Sequence, residues 1–262
     1  MHTIQIPIAR PPWSSLGKRL ESTCRKALFD YEMLKDCSHV AVALSGGKDS
    51  LTLLYLLHAI RGKGFPSFQL SAIHIDGPFS CGAGVSKEWL KAICKELEIP
   101  FLSRTSQQKK ETLECYSCSR TRRKLLFEAA KEIGSSTVAF GHHRDDQAQT
   151  LLLNLFHKGE FAGNLPKIHM VHYGITIIRP LIYIAENDIR HFAAQHGFNR
   201  ITCQCPVGQN SKRKEVDRLL DEIAEKFPNI RQNVAYAGLK YGSQKAKRVK
   251  ESLESNKEGV HE

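Results

Sequence analysis

The sequence has no apolar run that approaches the roughly 18 residues of a membrane-spanning helix. Its first part, 1–13, is short, mixed and proline-rich, and it lacks the apolar stretch and small-residue cleavage site of a secretory signal. We also find no internal repeat. These absences predict a cytoplasmic protein that makes no membrane contact.

A disulfide framework is not expected either, although the chain contains eight cysteines. In a reducing compartment, closely spaced cysteines are better explained as ligands of a metal or a cluster. Two such pairs occur, Cys115 with Cys118 and Cys203 with Cys205. The other cysteines lack a partner at ligand spacing and are expected to be ordinary small buried residues: Cys24, Cys37, Cys81 and Cys94.

Positive charge, in contrast, is present in excess. Lysine and arginine number 38 against 27 acidic residues, which gives a net charge of +11. This excess favours a polyanionic partner, because each phosphate that the protein neutralises releases counterions. A basic protein without such a partner stays open as the alternative. Hydrophobic residues make up 41% of the chain, which is sufficient for a folded core.

Short apolar runs alternate with helical patterns along much of the chain. This alternation predicts an α/β fold with a doubly wound parallel sheet, right-handed crossovers and a small C-terminal helical extension. Strands are predicted at 39–44, 68–75, 101–103 and 137–140, and helices at 51–60, 87–97, 120–133, 146–156 and 215–226.

Changes in composition along the chain predict four parts. An N-terminal helical segment at 1–35 precedes the main domain at 36–205, which carries all the motifs described below. A C-terminal helical extension follows at 206–241. The last part, 242–262, is almost wholly polar, and we expect it to be disordered.

The first motif lies between a predicted buried strand and a helix and reads Ser45-Gly46-Gly47-Lys48-Asp49-Ser50. Ligands of open α/β sheets collect at this place. Two glycines allow backbone N–H groups to form an anion-binding nest, and the following helix adds its positive end. Lys48 can reach a phosphate oxygen, Ser50 can donate a hydroxyl, and Asp49 supplies a carboxylate for Mg2+. The alternative is a Gly-Gly turn that Asp49 or Ser50 merely caps.

The spacing of this loop is not that of the P-loop of NTPases, which has four residues between its first glycine and the Gly-Lys pair. It resembles the PP-loop, Ser-Gly-Gly-x-Asp-Ser, of the N-type ATP pyrophosphatases. The resemblance implies that ATP is cleaved between its α and β phosphates. A carbonyl oxygen would be adenylated and pyrophosphate released.

A second motif follows the strand predicted at 137–140 and begins with Gly141 and His142. It continues to Asp145 and Asp146 at the start of a helix, where the dipole favours acids. Together with Asp49, these acids could hold Mg2+ or position the substrate base. Alone, the segment would more often be a solvated helix start. It resembles the Gly-His-x-x-Asp-Asp element of tRNA-modifying PP-loop enzymes, as the later Arg179-Pro180-Leu181 resembles another family element.

Cys115 and Cys118 precede the helix predicted to begin near Arg120. At a helix N-terminus the dipole favours the thiolate form of the two cysteines of a Cys-x-x-Cys motif. The motif could therefore be a redox pair or supply half of the ligands of a zinc site. With the two loops, the run Cys115–Arg123 looks like the TtcA family of tRNA 2-thiocytidine synthetases. This resemblance extends from about Arg19 to Gly238.

The resemblance implies ATP-dependent 2-thiolation of cytidine 32 in tRNA, with sulfur from a cysteine-desulfurase-type donor, and makes a homodimer plausible. It further implies that Cys115, Cys118 and one later cysteine hold a [4Fe-4S] cluster with one open iron. The family usually shows Cys-x-x-Cys at the later position, whereas this chain has Cys203-Gln204-Cys205. An ungapped match assigns Cys203 as the third ligand. Cys205 could replace Cys203 as the third ligand. It could also complete a four-cysteine zinc site, so zinc stays open as an alternative.

The helix after Cys118 carries a run of cations that works against its dipole: Arg120, Arg122, Arg123 and Lys124. We therefore expect an anion opposite, either tRNA backbone or nucleotide phosphate, although a solvated charged face is the alternative. Family resemblance places Arg122 near the activated base. Two rival functions stay open: another PP-loop tRNA enzyme, making lysidine or 2-thiouridine, and a non-catalytic zinc protein that binds nucleotide and tRNA.

Overall fold

The computed structural model of the protein describes residues 6–77, 85–107, 115–198 and 212–242, including their side chains except those of 115–117. The chain forms two compact units, which are described separately. The first comprises Met1–His143 and Pro166–Ser211, and the second comprises Arg144–Leu165 and Lys212–Glu262. Within the described residues, none of the helices is both long and apolar enough to cross a membrane.

The first unit is built on a six-stranded sheet with helices on its faces. Its strands are β1 His39–Ala43, β2 Gln69–Asp76, β3 Phe101–Thr105, β4 Thr137–Ala139, β5 Lys167–Met170 and β6 Ile175–Ile178. Its helices are α1 Ser15–Asp30, α2 Lys48–Ile60, α3 Lys87–Glu96, α4 Cys115–Glu132 and α6 Glu186–Gln195. The second unit contains α5 Arg144–Lys158, α7 Lys212–Lys226 and α8 Ile230–Tyr241.

The strand order is β3-β2-β1-β4-β6-β5, and every pair is parallel except β5 with β6. The predicted α/β class and the largely parallel, doubly wound sheet are confirmed. The antiparallel pair lies at one edge of the sheet and consists of two strands that were not predicted. Only the short 3-10 turn Val171–Tyr173 and Gly174, with φ +58, connect β5 to β6. A connection this short can join only antiparallel neighbours, because a parallel crossover needs a dozen residues or more.

Both faces of the sheet are covered, which explains the continuous apolar runs of its strands. The crossovers through α2 and α4 run in opposite directions along the strand order, so right-handedness places them on opposite faces. On the α4 face, buried side chains from five elements form one core: Ala41, Ile73, Ile75, Phe127, Ala130, Val138 and Ile177. The opposite helix α2 contacts β1 and β2 and is covered in turn by α1 and α6. This enclosure fixes the start of α2, at Lys48, relative to the strand ends.

Helix α4 begins at Cys115, five residues before the predicted start at Arg120. The two cysteines are therefore the first and fourth residues of the helix, and Arg120 to Lys124 follow in its second and third turns. Because the dipole effect falls off within the first turn, these cations hardly oppose the helix dipole. The exposure of Arg120, Arg123 and Lys124 supports an anionic partner instead.

The second unit is a cluster of three helices around a small core. Ala148 of α5 packs with Val216 and Leu220 of α7 and with Ala235 of α8. Gly238 allows close contact between α5 and α8, since a Cβ there would lie 3.0 Å from the Gln147 Nε2. The predicted linear division at residues 205 and 206 differs from this arrangement, because α5 joins the C-terminal helices. Of the tail predicted to be disordered, all but Gly242 lies outside the described residues.

Candidate active site

The glycine-rich loop connects the end of β1 to the start of α2. Gly46 adopts φ +84, a left-handed conformation that glycine takes without strain. The Ser50 hydroxyl accepts a hydrogen bond from the Gly46 N–H at 3.1 Å and donates one to the Gly47 carbonyl at 3.0 Å. Ser45 Oγ lies 3.1 Å from Ser50 Oγ and accepts from the Gly47 N–H at 3.3 Å. The two serine side chains thus brace the loop through hydrogen bonds to its backbone and to each other. The hypothesis that Ser50 donates a hydrogen bond to a phosphate did not include this role.

Lys48 lies at the first position of α2 between two carboxylates. Its Nζ is 2.9 Å from Asp49 Oδ1 and 3.0 Å from Glu186 Oε1. Burial lowers the pKa of the Lys48 ammonium, but the Asp49 and Glu186 carboxylates outweigh it and the net pKa is raised. Lys48 therefore stays protonated and can act as a fixed positive charge.

Glu186 was missed by sequence reasoning, because α6, which it begins, was not predicted. Burial raises the pKa of Glu186, but Lys48, His143 and Arg190 together lower it below the ordinary value. Its carboxylate is thus ionised beside Lys48. The available sequence signal was an acid at the start of a helical pattern, with Ile189, Phe192 and Ala193 buried on one face.

The second predicted motif begins directly after β4, which pairs in parallel with β1. The two loops therefore leave the carboxyl ends of neighbouring strands. His143 is buried, and its Nε2 lies 3.7 Å from Asp49 Oδ1. The buried Arg179 donates from Nε to His142 Nδ1 at 3.3 Å. His142 and His143 are thus brought to the side of the phosphate loop, and Arg179 orients one of them.

Gly141 is the point where these two loops touch. A Cβ there would lie 3.0 Å from the carbonyl carbon of Asp49 and 3.1 Å from the Ser50 nitrogen, both backbone atoms that cannot move alone. We expect Gly141→Ala to lower the free energy of unfolding by about 1–3 kcal/mol, as overpacking does. Thermal unfolding followed by circular dichroism measures the change.

Gly47→Ala is the matched control for this prediction. A Cβ at Gly47 meets only Ser45 Oγ at 3.6 Å, and the backbone there has φ −72, which alanine adopts readily. Its melting temperature is expected to equal or slightly exceed that of the wild type. Equal melting temperatures for Gly141→Ala and the wild type would refute the steric argument.

Asp145 and Asp146 lie in the first turn of α5, within the second unit. Asp146 Oδ1 is 3.0 Å from Arg213 Nη1, and Asp145 Oδ1 is 3.8 Å from Arg231 Nη1. Burial lowers the pKa of Arg231, but the hydrogen bonds that Arg231 donates to the Asp221 and Asp217 carboxylates outweigh this effect and raise the net pKa. Both acids are therefore held by arginines of their own unit, and their role towards Mg2+ or the base stays a prediction.

His74, in β2, is a further candidate that the sequence reasoning did not single out. It is fully buried, and its Nδ1 lies 2.8 Å from the carbonyl oxygen of Leu44, which immediately precedes the phosphate loop. Burial lowers the pKa of His74, so the ring is neutral. Its Nδ1–H then donates to the Leu44 carbonyl oxygen and so holds the residue that immediately precedes the phosphate loop. A histidine between Ile73 and Ile75 in an apolar strand was the available signal.

The predicted cluster ligands lie only partly within the described residues. Cys115 and Cys118 are separated by about one turn of α4, but the Cys115 side chain and the whole of Cys203 and Cys205 lie outside. The described residues alone contain no group of three potential metal ligands. Of the cysteines expected to be ordinary, Cys81 lies outside, and the other three are buried. Burial raises the pKa of both Cys24 and Cys94 to about 12, so these thiols are unreactive.

The cations after Cys118 differ in exposure. Arg120, Arg123 and Lys124 are exposed, whereas Arg122 is half-buried. Arg122 is also close enough to His74 to contribute to the lowered pKa of that ring. The three exposed residues present positive charge at the surface, whereas Arg122 is partly covered.

Comparison with known proteins extends these observations. A family model described as a PP-loop domain matches residues 16–214. The chain is 38% identical over 236 residues to the tRNA-cytidine(32) 2-sulfurtransferase of Bordetella avium, with 86% of this chain and 74% of that protein covered. It is 37% identical over 229 residues to the enzyme of the same name from Coxiella burnetii, with 84% and 88% covered.

A solved structure has the same fold. It is the U34-tRNA thiolase NcsA from Methanococcus maripaludis with its [4Fe-4S] cluster, which matches with a TM-score of 0.70. The match covers 91% of this chain and 88% of that one at 24% identity. At this identity the likeness concerns the arrangement of strands and helices.

Proposed function

The chain belongs to the PP-loop family and, within it, to the tRNA-cytidine(32) 2-sulfurtransferases, and from this premise we propose that it thiolates C2 of cytidine 32 in tRNA at the expense of ATP. The observation that carries the proposal is the braced loop at the start of α2, with a protonated Lys48 beside it. A cytoplasmic location and a homodimer are part of the proposal.

The first step is adenylation of the base. The C2 carbonyl oxygen of cytidine attacks the α-phosphorus of ATP, the bond from that phosphorus to the bridging oxygen breaks, and pyrophosphate leaves. Negative charge grows on the phosphate oxygens in this step. The Lys48 ammonium and the backbone amides at the start of α2 stabilise that charge, because they are oriented before the reaction begins.

Mg2+ binding is supported by the chemistry of the acids at the two loops. Carboxylate oxygens are the ligands that Mg2+ prefers, and the ion is usually bound by one or two of them with substrate phosphates. Asp49 is the candidate ligand of the first unit, and Asp145 and Asp146 are the candidates of the second. When bound, Mg2+ would neutralise phosphate charge.

The cysteines fit an iron–sulfur group better than a structural role. Cys115 and Cys118 lie in the first turn of a helix, where the dipole favours thiolates, and thiolates are the ligands of such clusters. Cys203 is proposed as the third ligand of a [4Fe-4S] cluster. When bound, a cluster with three cysteine ligands would supply an open iron for sulfur. Hydrosulfide that attacks C2 forms the C–S bond and gives up its proton, the bond from C2 to the adenylated oxygen breaks, and AMP leaves.

Recognition of tRNA is supported by the net charge of +11 and by the exposed Arg120, Arg123 and Lys124. A base must be unstacked before its C2 can be reached, which suits an anticodon loop better than a duplex. Arg122 is proposed to lie near the activated base. The sulfur is proposed to come from a cysteine-desulfurase-type donor, whose persulfide sulfur an external thiol reduces to hydrosulfide.

Deleting the gene tests the proposal. Digested tRNA from the deletion strain is expected to lack 2-thiocytidine by nucleoside mass spectrometry, and a plasmid carrying the wild-type gene is expected to restore it. A plasmid carrying Lys48→Ala is the control for a catalytic rather than a structural requirement, and should not restore it. Normal 2-thiocytidine in the deletion strain would refute the substrate, and loss of 2-thiouridine or lysidine would point to a rival enzyme.

A further inference from the structure

Two carboxylates hold Lys48, and they come from parts of the chain that are far apart in sequence. Asp49 is its neighbour in sequence, whereas Glu186 is the first residue of α6. Their nearest oxygens lie 2.9 Å and 3.0 Å from the Lys48 Nζ. The proposed chemistry assigns Asp49 to Mg2+. Glu186 is then the partner that can stay with the ammonium while ATP reacts.

The Glu186 carboxylate is itself held in place. Arg190, one helical turn further on, donates from Nε at 3.1 Å and from Nη2 at 2.9 Å to the same Oε1 that Lys48 contacts. Glu186 also lies at the N-terminus of its helix, where the dipole favours a negative charge. Ile189 and Phe192, both fully buried, anchor that helix in the first unit. A rigid carboxylate therefore meets a flexible lysine side chain.

We propose that Glu186 is a positioning residue for the ATP reaction: its carboxylate orients the Lys48 ammonium towards the phosphate-binding loop. This inference rests on the proposed use of ATP by that loop. Lysine has a flexible four-carbon side chain, so its charge acts at a defined point only when a second group holds it. Asp49 alone does not provide this, because it lies in the same turn of helix as Lys48 and, in the proposed chemistry, also binds the metal.

The proposal has a kinetic consequence that separates it from a structural role. A carboxylate near the triphosphate repels ATP in the ground state, whereas an oriented ammonium attracts the triphosphate there and more strongly as charge develops. Glu186→Gln keeps the shape of the side chain and removes its charge. We expect the kcat for tRNA-dependent pyrophosphate release to fall by about 10- to 100-fold. The KM for ATP should stay unchanged or fall.

Asp188→Asn is the matched control. It makes the same chemical change in the same turn of α6, but Asp188 contacts Arg19, at 2.7 Å, and not Lys48. Its kcat and KM should stay within about twofold of the wild type, since such a partly exposed ion pair contributes little. Melting temperatures of both variants show whether either change unfolds the protein.

A second measurement does not depend on activity. Melting temperatures of Lys48→Met, Glu186→Gln and the double variant form a double-mutant cycle. Because the Lys48 Nζ and the Glu186 Oε1 are 3.0 Å apart, the change in the double variant should be smaller than the sum of the two single changes. The same cycle of Lys48→Met with Asp188→Asn should be additive.

These readouts keep the inference separate from the proposed function. Pyrophosphate release and melting temperature are measured instead of thiolated cytidine, so an enzyme that thiolates another base still decides the question. If the wild type releases no pyrophosphate, the function fails and the melting temperatures alone decide whether Glu186 holds Lys48. Additive changes in the cycle of Lys48→Met with Glu186→Gln overturn the inference. A rise in kcat also overturns it, since Glu186 would then restrain Lys48 instead of orienting it.

Discussion

Lys48→Ala is expected to slow tRNA-dependent pyrophosphate release by about 10²–10³-fold, the usual effect of removing one preorganised group that stabilises developing charge. Lys48 is the first residue of α2 and is held between two carboxylates, so its charge is fixed before ATP arrives. The loss should therefore appear mainly in kcat. Single-turnover assays with labelled ATP measure it directly.

Two controls sharpen this experiment. Lys35→Ala removes an exposed lysine that pairs with Glu32 at 3.3 Å, and it should leave the rate unchanged. Lys48→Arg keeps the charge but not the compact ammonium, and should recover only part of the activity, because the two side chains differ in geometry. A Lys48→Ala rate within a few-fold of the wild type would remove Lys48 from the catalytic machinery.

Cys118→Ala and Cys203→Ala should each reduce thiolation of tRNA by more than about 100-fold. Each removes a proposed ligand, and even the loss of a group that only hydrogen-bonds to a metal ligand reduces activity by up to about 100-fold. Pyrophosphate release should fall much less, because adenylation depends on the phosphate loop and not on the cysteines. Anaerobically purified wild-type protein should contain about four irons with acid-labile sulfide, as a [4Fe-4S] cluster requires. Both variants should lack them.

Cys94→Ala is the control for this pair, since Cys94 is buried and burial raises the pKa of its thiol to about 12. Its iron content and thiolation should match those of the wild type. Cys205→Ala tests the choice of third ligand, and retained iron in that variant supports Cys203. The reverse result, with iron kept in Cys203→Ala and lost in Cys205→Ala, would exchange the two roles. Stoichiometric zinc without iron in the wild type would contradict the cluster altogether.

The central fold could be predicted from sequence because its signals are local. An apolar strand, a Gly-Gly turn and a helix follow one another around Ser45–Ser50, and their order determines where the loop lies. Parallel pairing of β1 with β4 then brings the second loop beside the first. Neither inference needs a contact between distant side chains. Periodicity and turn chemistry are therefore sufficient for them.

The parts that could not be predicted depend on long-range contacts. Nothing near Lys48 indicates that Glu186, far along the chain, will meet it, because that contact follows from the packing of α6 on α2. The membership of α5 in the second unit has the same origin, since its partners α7 and α8 come later in sequence. The early start of α4 is a different case. Boundaries of helices are weakly encoded where no capping residue marks them.

The two outer strands of the sheet have a consequence for self-association. Strands β3 and β5 contain five and four residues, and they carry Arg104 and Lys167 respectively. Short edges with basic side chains resist the addition of a strand from a second molecule, because like charges would be brought together and few backbone hydrogen bonds would form. Should the proposed homodimer form, its contacts are expected to come from helices, leaving the sheet to end within each subunit.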